Sequence, residues 1–151
     1  MIKVLKITKK VEYALMVLKY IGDKSKGQFH SAREICDQFK LPFDTTAKVM
    51  QSMNNSGILI SLQGANGGYQ IARNLDQITY LELEEIIEGK SRDFFCQNAK
   101  GLCALHGSCN IISPVDRLNR KIKNFLSDLT VEELLFENIL ESEMIPKGES
   151  V

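Results

Sequence analysis

Apolar side chains recur at Val11, Ala14, Leu15, Val17, Leu18 and Ile21. This is the three-and-four spacing of one helical face, and Gly22 is expected to stop the run. Ser31-Ala-Arg-Glu34 reads as a capping box, in which hydroxyl and carboxylate satisfy free N–H groups at a helix start. The helix it opens carries Ile35 and Cys36 on its apolar side. Pro42 breaks the chain. Asp44 or Thr45 is then expected to cap a third helix through Ala47, Val49, Met50 and Met53, ended by Asn54-Asn55-Ser56-Gly57. Residues 58–62 and 69–73 are β-rich runs around Gln63-Gly-Ala-Asn-Gly-Gly68, a hairpin pattern. Three helices followed by a hairpin is the order of a winged helix-turn-helix. Its second and third helices form the turn motif, and the third enters the major groove.

Further on, Thr79-Tyr-Leu-Glu82 is a second capping box, opening a helix through Ile87 that Gly89 stops. Residues 91–112 show no periodicity, and so long a loop points to function. Ser113-Pro114 is expected to start a long helix, Ser as cap and Pro at the first helical position. Its apolar residues Val115, Leu118, Ile122, Phe125 and Leu129 are spaced 3, 4, 3, 4, a heptad seam. Arg117, Arg120, Lys121 and Lys123 fall on the opposite face. A short chain has little core left to receive this stripe, so a second copy is the natural receiver. Thr130 caps a final helix. The expected fold is therefore mainly α with a small β-hairpin wing. The expected division is a winged helix-turn-helix over 1–90, a cysteine-rich loop over 91–112, the dimerisation and C-terminal helices over 113–143, and a frayed tail over 144–151.

Composition narrows the function classes. The 151 residues are 44% hydrophobic and 25% charged, ordinary for one globular domain. No apolar run approaches the ~20 residues of a membrane span. The opening MIKVLKITKK is too short in apolar residues for a signal peptide, so a cytoplasmic protein is expected. A formal net charge of zero hides an asymmetry. Residues 1–73 hold 11 Lys+Arg against 5 Asp+Glu, and residues 74–151 hold 8 against 14. The front half is the part suited to a polyanion.

Three of the four cysteines cluster as Cys96-x6-Cys103-x5-Cys109. In a cytoplasmic chain such a cluster points to metal or redox chemistry rather than disulfides. Thiolates bind both iron and zinc. Cys103-Ala-Leu-His106 also resembles a zinc C-x2-H pair. An iron–sulfur cluster, a Cys3His zinc site and plain thiols all remain open on the residues alone. Cys36 is expected to be a small core residue. The glycine-rich loop lies between strands, not ahead of a helix, so it suits a wing tip better than a phosphate cradle. A thiol-based reductase is disfavoured because no CxxC pair is present.

The wing sequence Gly67-Gly-Tyr-x-Ile-Ala-Arg73, the opening Thr8-Lys-Lys-Val-Glu-Tyr-Ala-Leu15 and the three-cysteine loop before a long helix together resemble the winged-helix regulators of the IscR/NsrR type. The resemblance covers roughly residues 5–140. It implies a homodimeric transcriptional regulator, not an enzyme, with no small-molecule substrate. Its partner would be a double-stranded DNA operator. It also implies one iron–sulfur cluster per subunit, [4Fe-4S] or [2Fe-2S], sensing nitric oxide, redox state or iron–sulfur status. The cluster cysteines correspond to Cys96, Cys103 and Cys109. The matching position for a carboxylate ligand from the other subunit's first helix is Glu12. The histidine that other members place three residues past the last cysteine is absent, since Ile112 stands there, and His106 is a weaker candidate. Lys9, Lys10 and Lys48 are expected to meet phosphates. Thr45, Thr46 and Gln51 are expected on or near the reading helix, with Gln63, Asn66 and Tyr69 in the wing. Gln63 replaces the arginine often found before the wing glycine, which removes a charge. Val115, Leu118, Ile122 and Phe125 would form the dimer seam. The alternative is a zinc-stabilised winged-helix regulator with a different signal.

Overall fold

The computed structural model describes residues 6–89 and 103–136. Cys96, most of the 91–112 loop and the 144–151 tail lie outside the described residues. Helix α1 (Lys9–Gly22) is capped by Thr8, whose hydroxyl accepts from the Val11 N–H and donates to Glu88. Val11, Ala14, Val17, Leu18 and Ile21 are buried, as their spacing predicts. The helix ends at Gly22 as expected, with Asp23 as its cap. The bare Cα of Gly22 receives a ring, since a Cβ there would stand 2.5 Å from Phe136 Cζ.

Helix α2 (Ala32–Phe39) begins on Ser31, whose Oγ accepts from the Glu34 N–H at 3.0 Å. It ends on Lys40 in the left-handed region, φ 53°, a conformation more often given to glycine. Helix α3 (Phe43–Asn55) starts earlier than expected. Its cap is Pro42, with no side-chain cap bond, and Asp44 sits inside the first turn. Strands β1 (Leu59–Leu62) and β2 (Gly68–Ile71) pair antiparallel, Leu59 opposite Ile71 and Leu62 opposite Gly68. A 3-10 turn (Leu75–Gln77) leads to α4 (Tyr80–Glu88), capped by Thr79. The order of three helices and a two-stranded wing is the one expected.

The core gathers Val17, Leu18, Ile35, Met50, Met53, Ile58 and Leu83, all at 3% exposure or less. Helix α5 (Ile112–Asp128) opens on Ile111, not Ser113, with Pro114 in its first turn, where no intrahelical N–H bond is lost. Helix α6 (Val131–Phe136) returns the chain to the core, burying Val131 and packing Leu135 and Phe136 against it. Thr130 and Glu133 form a reciprocal capping box, each N–H bonded to the other's side chain at 2.9 and 3.1 Å.

The wing is attached to the body through an exchange of backbone bonds. His30 N–H donates to Tyr69 O at 2.9 Å, and Tyr69 N–H donates to His30 O at 2.8 Å. The two chains approach closely at Gly68, φ 147°, where a Cβ would meet His30 carbonyl C at 2.5 Å and Ser31 N at 2.8 Å. All these neighbours are backbone, which cannot step aside cheaply. Gly68→Ala should therefore destabilise the fold by about 2–4 kcal/mol, read as a lower urea midpoint at unchanged slope. A loss under about 1 kcal/mol would show that the junction yields.

Candidate nucleic-acid interface and thiol site

Helix α3 has two faces. Thr46, Val49, Met50 and Met53 point into the core, while Asp44, Lys48, Gln51 and Asn55 are exposed at spacings of four, three and four. That outer stripe is a long polar ridge suited to a groove. Gln51 already donates to Asn55 Oδ1 at 2.9 Å, so two amides on the ridge are held together. Thr45 is half-buried. Thr46 is fully buried and its Oγ1 has no partner among the described residues. It is therefore withdrawn as a groove contact, because its side chain lies on the packed face of the helix.

In the wing, Gln63 and Asn66 are exposed at the tip. Tyr69 is half-buried against the core and its backbone ties the wing down, so it acts chiefly as an anchor. Lys9 and Lys10 are exposed at the start of α1. Lys9 Nζ pairs with Glu12 Oε2 at 2.7 Å. That hydrogen bond, and then the charge of Glu12, raise the Lys9 ammonium above its ordinary value. Exposed pairs of this kind are worth little and exchange readily. Both Lys9 and Glu12 are thus open to other partners.

The junction behind α3 holds a cluster that motif reading missed. Glu34 accepts from Tyr20 Oη at 2.7 Å and faces His30 Nδ1 at 3.0 Å. Tyr20 meets the His30 ring edge-on at 5.4 Å and the Phe39 ring at 5.7 Å. The hydrogen bond from His30, then that from Tyr20, hold the Glu34 carboxyl below its usual range. The bond to Glu34 raises Tyr20. His30 and Glu34 stand four residues apart, a spacing that signals contact on a helix face. His30 precedes the helix, so the sequence pattern alone did not mark it.

Of the cluster cysteines, Cys103 is exposed and Cys109 half-buried, on a succession of turns just before α5, and neither is in a disulfide. His106 N–H donates to Cys103 O at 3.1 Å and Ser108 N–H to Leu105 O at 3.0 Å, which folds the segment compactly. Two soft donors flanking one run of turns fit a metal or cluster. Among the described residues no group of three His, Cys, Asp or Glu side chains converges. Glu12 lies on α1, and it does not join Cys103 and Cys109 in such a group among the described residues. Cys36 is buried, as expected.

The expected seam of α5 divides. Ile122, Leu126 and Leu129 pack on Val11 and Tyr80 of the same chain, and Asn119 is buried beside them in sequence. Leu118 and Phe125 remain 44% and 64% exposed, and Ile111 is 55% exposed. Val115 is half-buried. Ile122 thus packs at least partly within its own chain, and the outward stripe is Ile111, Leu118 and Phe125, each seven residues apart. No helix among the described residues is long and apolar enough to cross a membrane.

The chain matches the family model Rrf2, described as an iron-dependent transcriptional regulator, over residues 7–137. It is 21% identical to the HTH-type transcriptional regulator NsrR of Shouchella clausii (strain KSM-K16), covering 87% of this chain and 89% of that one. Its fold is similar to that of CymR (YrzC), the global cysteine regulator of B. subtilis, with a TM-score of 0.67 and 22% identity, over 87% of this chain and 96% of that one. It is also similar to the fold of T. potens IscR, with a TM-score of 0.64 and 19% identity, over 94% of this chain and 93% of that one.

The Tyr20–Glu34–His30 cluster generates a pH dependence. A carboxyl held low in the folded state contributes stability above its unfolded value, and that contribution is lost as pH falls through the folded value. Urea denaturation from neutral pH into the acid range should show such a loss beginning below the ordinary glutamate value of 4.5. Glu34→Gln should lower stability at neutral pH and flatten that acid limb. An unchanged limb in the variant assigns the acid sensitivity elsewhere.

Proposed function

The chain belongs to the Rrf2 family of iron-dependent transcriptional regulators, and on that premise we propose that it is a homodimeric repressor-type switch whose operator binding answers to an iron–sulfur cluster. Its membership makes it a DNA-binding regulator rather than an enzyme. The observation that carries the finer reading is the thiol set, Cys96, Cys103 and Cys109, two of which flank a compact run of turns at the head of α5. Since the same fold serves a global cysteine regulator, the fold does not choose the signal. The thiols do.

Cys96, Cys103 and Cys109 would hold the cluster, with Glu12 of a second copy as the fourth ligand. Bound there, such a cluster supplies reactivity towards oxidants and nitric oxide. The chain's own part is mechanical. Glu12 would be released from Lys9 at small cost, because their pair is exposed. It rides on α1, whose Ala14, Val17 and Leu18 share the core with Val49, Met50 and Met53 of α3. A pull on α1 is therefore felt by the ridge of Lys48 and Gln51. Lys10 and Lys48 would meet phosphates, Thr45 and Gln51 the groove, and Gln63 and Asn66 the flanking minor groove. Ile111, Leu118 and Phe125 would meet their counterparts in the second copy, a face that one chain leaves uncovered. We assign the winged helix to 1–90, the ligand loop to 91–112, the pairing and closing helices to 113–143 and a tail to 144–151.

The C-x2-H pair of Cys103 and His106, folded onto one turn by a 3.1 Å backbone bond, supports zinc as the second reading. Protein prepared without oxygen should be coloured and contain iron and sulfide. Oxidative removal should change operator affinity at least tenfold, about 1.4 kcal/mol of coupling. Glu12→Ala should lower iron content or stability of the colour. Colourless protein containing zinc decides for the second reading. Separately, Phe125→Asp should convert a dimer to a folded monomer in sedimentation. A dimer that persists removes the α5 stripe from the interface.

A further inference from the structure

Arg33 lies in the first turn of α2 with its guanidinium over the ring of Phe43, the first residue of α3, 4.6 Å from the centroid. Both side chains are exposed. Among the described residues Arg33 makes no ion pair and no hydrogen bond through its side chain, although Glu34, Asp37 and Asp44 are close in sequence. Stacking occupies the flat face of a guanidinium and leaves its N–H edge, a rigid fork matched to a phosphate. Stacking also removes rotamer freedom before any partner arrives, so less is lost when the fork engages. The place is the mouth of the turn motif. There the first helix of the pair crosses the DNA backbone while the second enters the groove.

We propose that Arg33 is a phosphate clamp, and that Phe43 is its positioning residue, holding the fork at a fixed height beside the reading helix. The inference rests on the duplex-binding reading above. Its consequence is register: α3 is seated by a charge anchored to its own first residue, so the helix and its phosphate contact move as one body. An unsupported lysine, as at Lys48, gives attraction without that geometry.

The test uses the full chain and a mixed-sequence duplex of about 30 base pairs, long enough for two half-sites. Affinity is measured as a function of salt. Arg33→Gln should weaken binding and flatten the log-affinity against log-salt slope by about one unit per clamp. Arg33→Lys keeps the charge, so it should keep the slope yet bind more weakly. Phe43→Leu should also keep the slope and weaken binding, and Arg33→Lys should add little on top of it, because both remove the same stacked fork. Thermal melts are expected to match wild type, since neither side chain is in the core. Wild-type affinity and slope in Arg33→Gln would overturn the clamp. Losses from Arg33→Lys and Phe43→Leu that simply multiply would overturn the positioning role. Wild-type protein without salt-dependent binding would remove the duplex reading itself, and the clamp with it, a result distinct from the other two.

Discussion

The wing holds its place because His30 and Tyr69 exchange two backbone bonds. A two-stranded hairpin is marginal alone, and four residues per strand give this one little of its own. The exchange with His30 adds a third backbone segment at its edge, and the segment is the residue ahead of α2. The wing and the turn motif are thereby a single piece. The side chain of the same residue reaches Glu34 and Tyr20, so α1, α2 and β2 converge on one histidine. Gly68 is what permits the approach, since any Cβ would strike the His30 backbone.

Helix α5 does two jobs with one stripe. Its inner side closes a small cluster of Val11, Tyr80 and Leu126, which bridges α1 and α4. Its outer side leaves Leu118 and Phe125 in solvent. The two outward residues stand seven apart, the spacing of a helix seam. The cysteine turn precedes this helix directly, so the proposed ligand loop and the proposed pairing face share a rigid support.

Much of this was legible in the sequence. The order of helices and wing followed from apolar spacing and turn residues, because both are local. The capping boxes show where locality fails. Thr130 and Glu133 close theirs fully. In Ser31-x-x-Glu34 and Thr79-x-x-Glu82 the hydroxyls cap as expected, but the carboxylates serve groups outside the box. Glu34 takes Tyr20 and His30, and Glu82 takes Arg73 in a forked pair at 2.7 and 3.2 Å. The α5 seam divided for a related reason. A repeat of three and four names an apolar helix but not which neighbours divide it. Thr46 was misplaced because a polar residue was taken to face outward, although it stands three and four residues before Val49 and Met50 on the buried stripe of α3.

The contact of Phe136 with Gly22 couples two distant positions. The ring sits where a Cβ would go, and Lys19 Nζ lies 4.3 Å from the ring's centre on the same turn of α1. A side chain at position 22 would require the Phe136 ring to swing aside. The ends of α1 and α6 are therefore fitted to one another, and a change at either position alone would have to loosen the clasp between them.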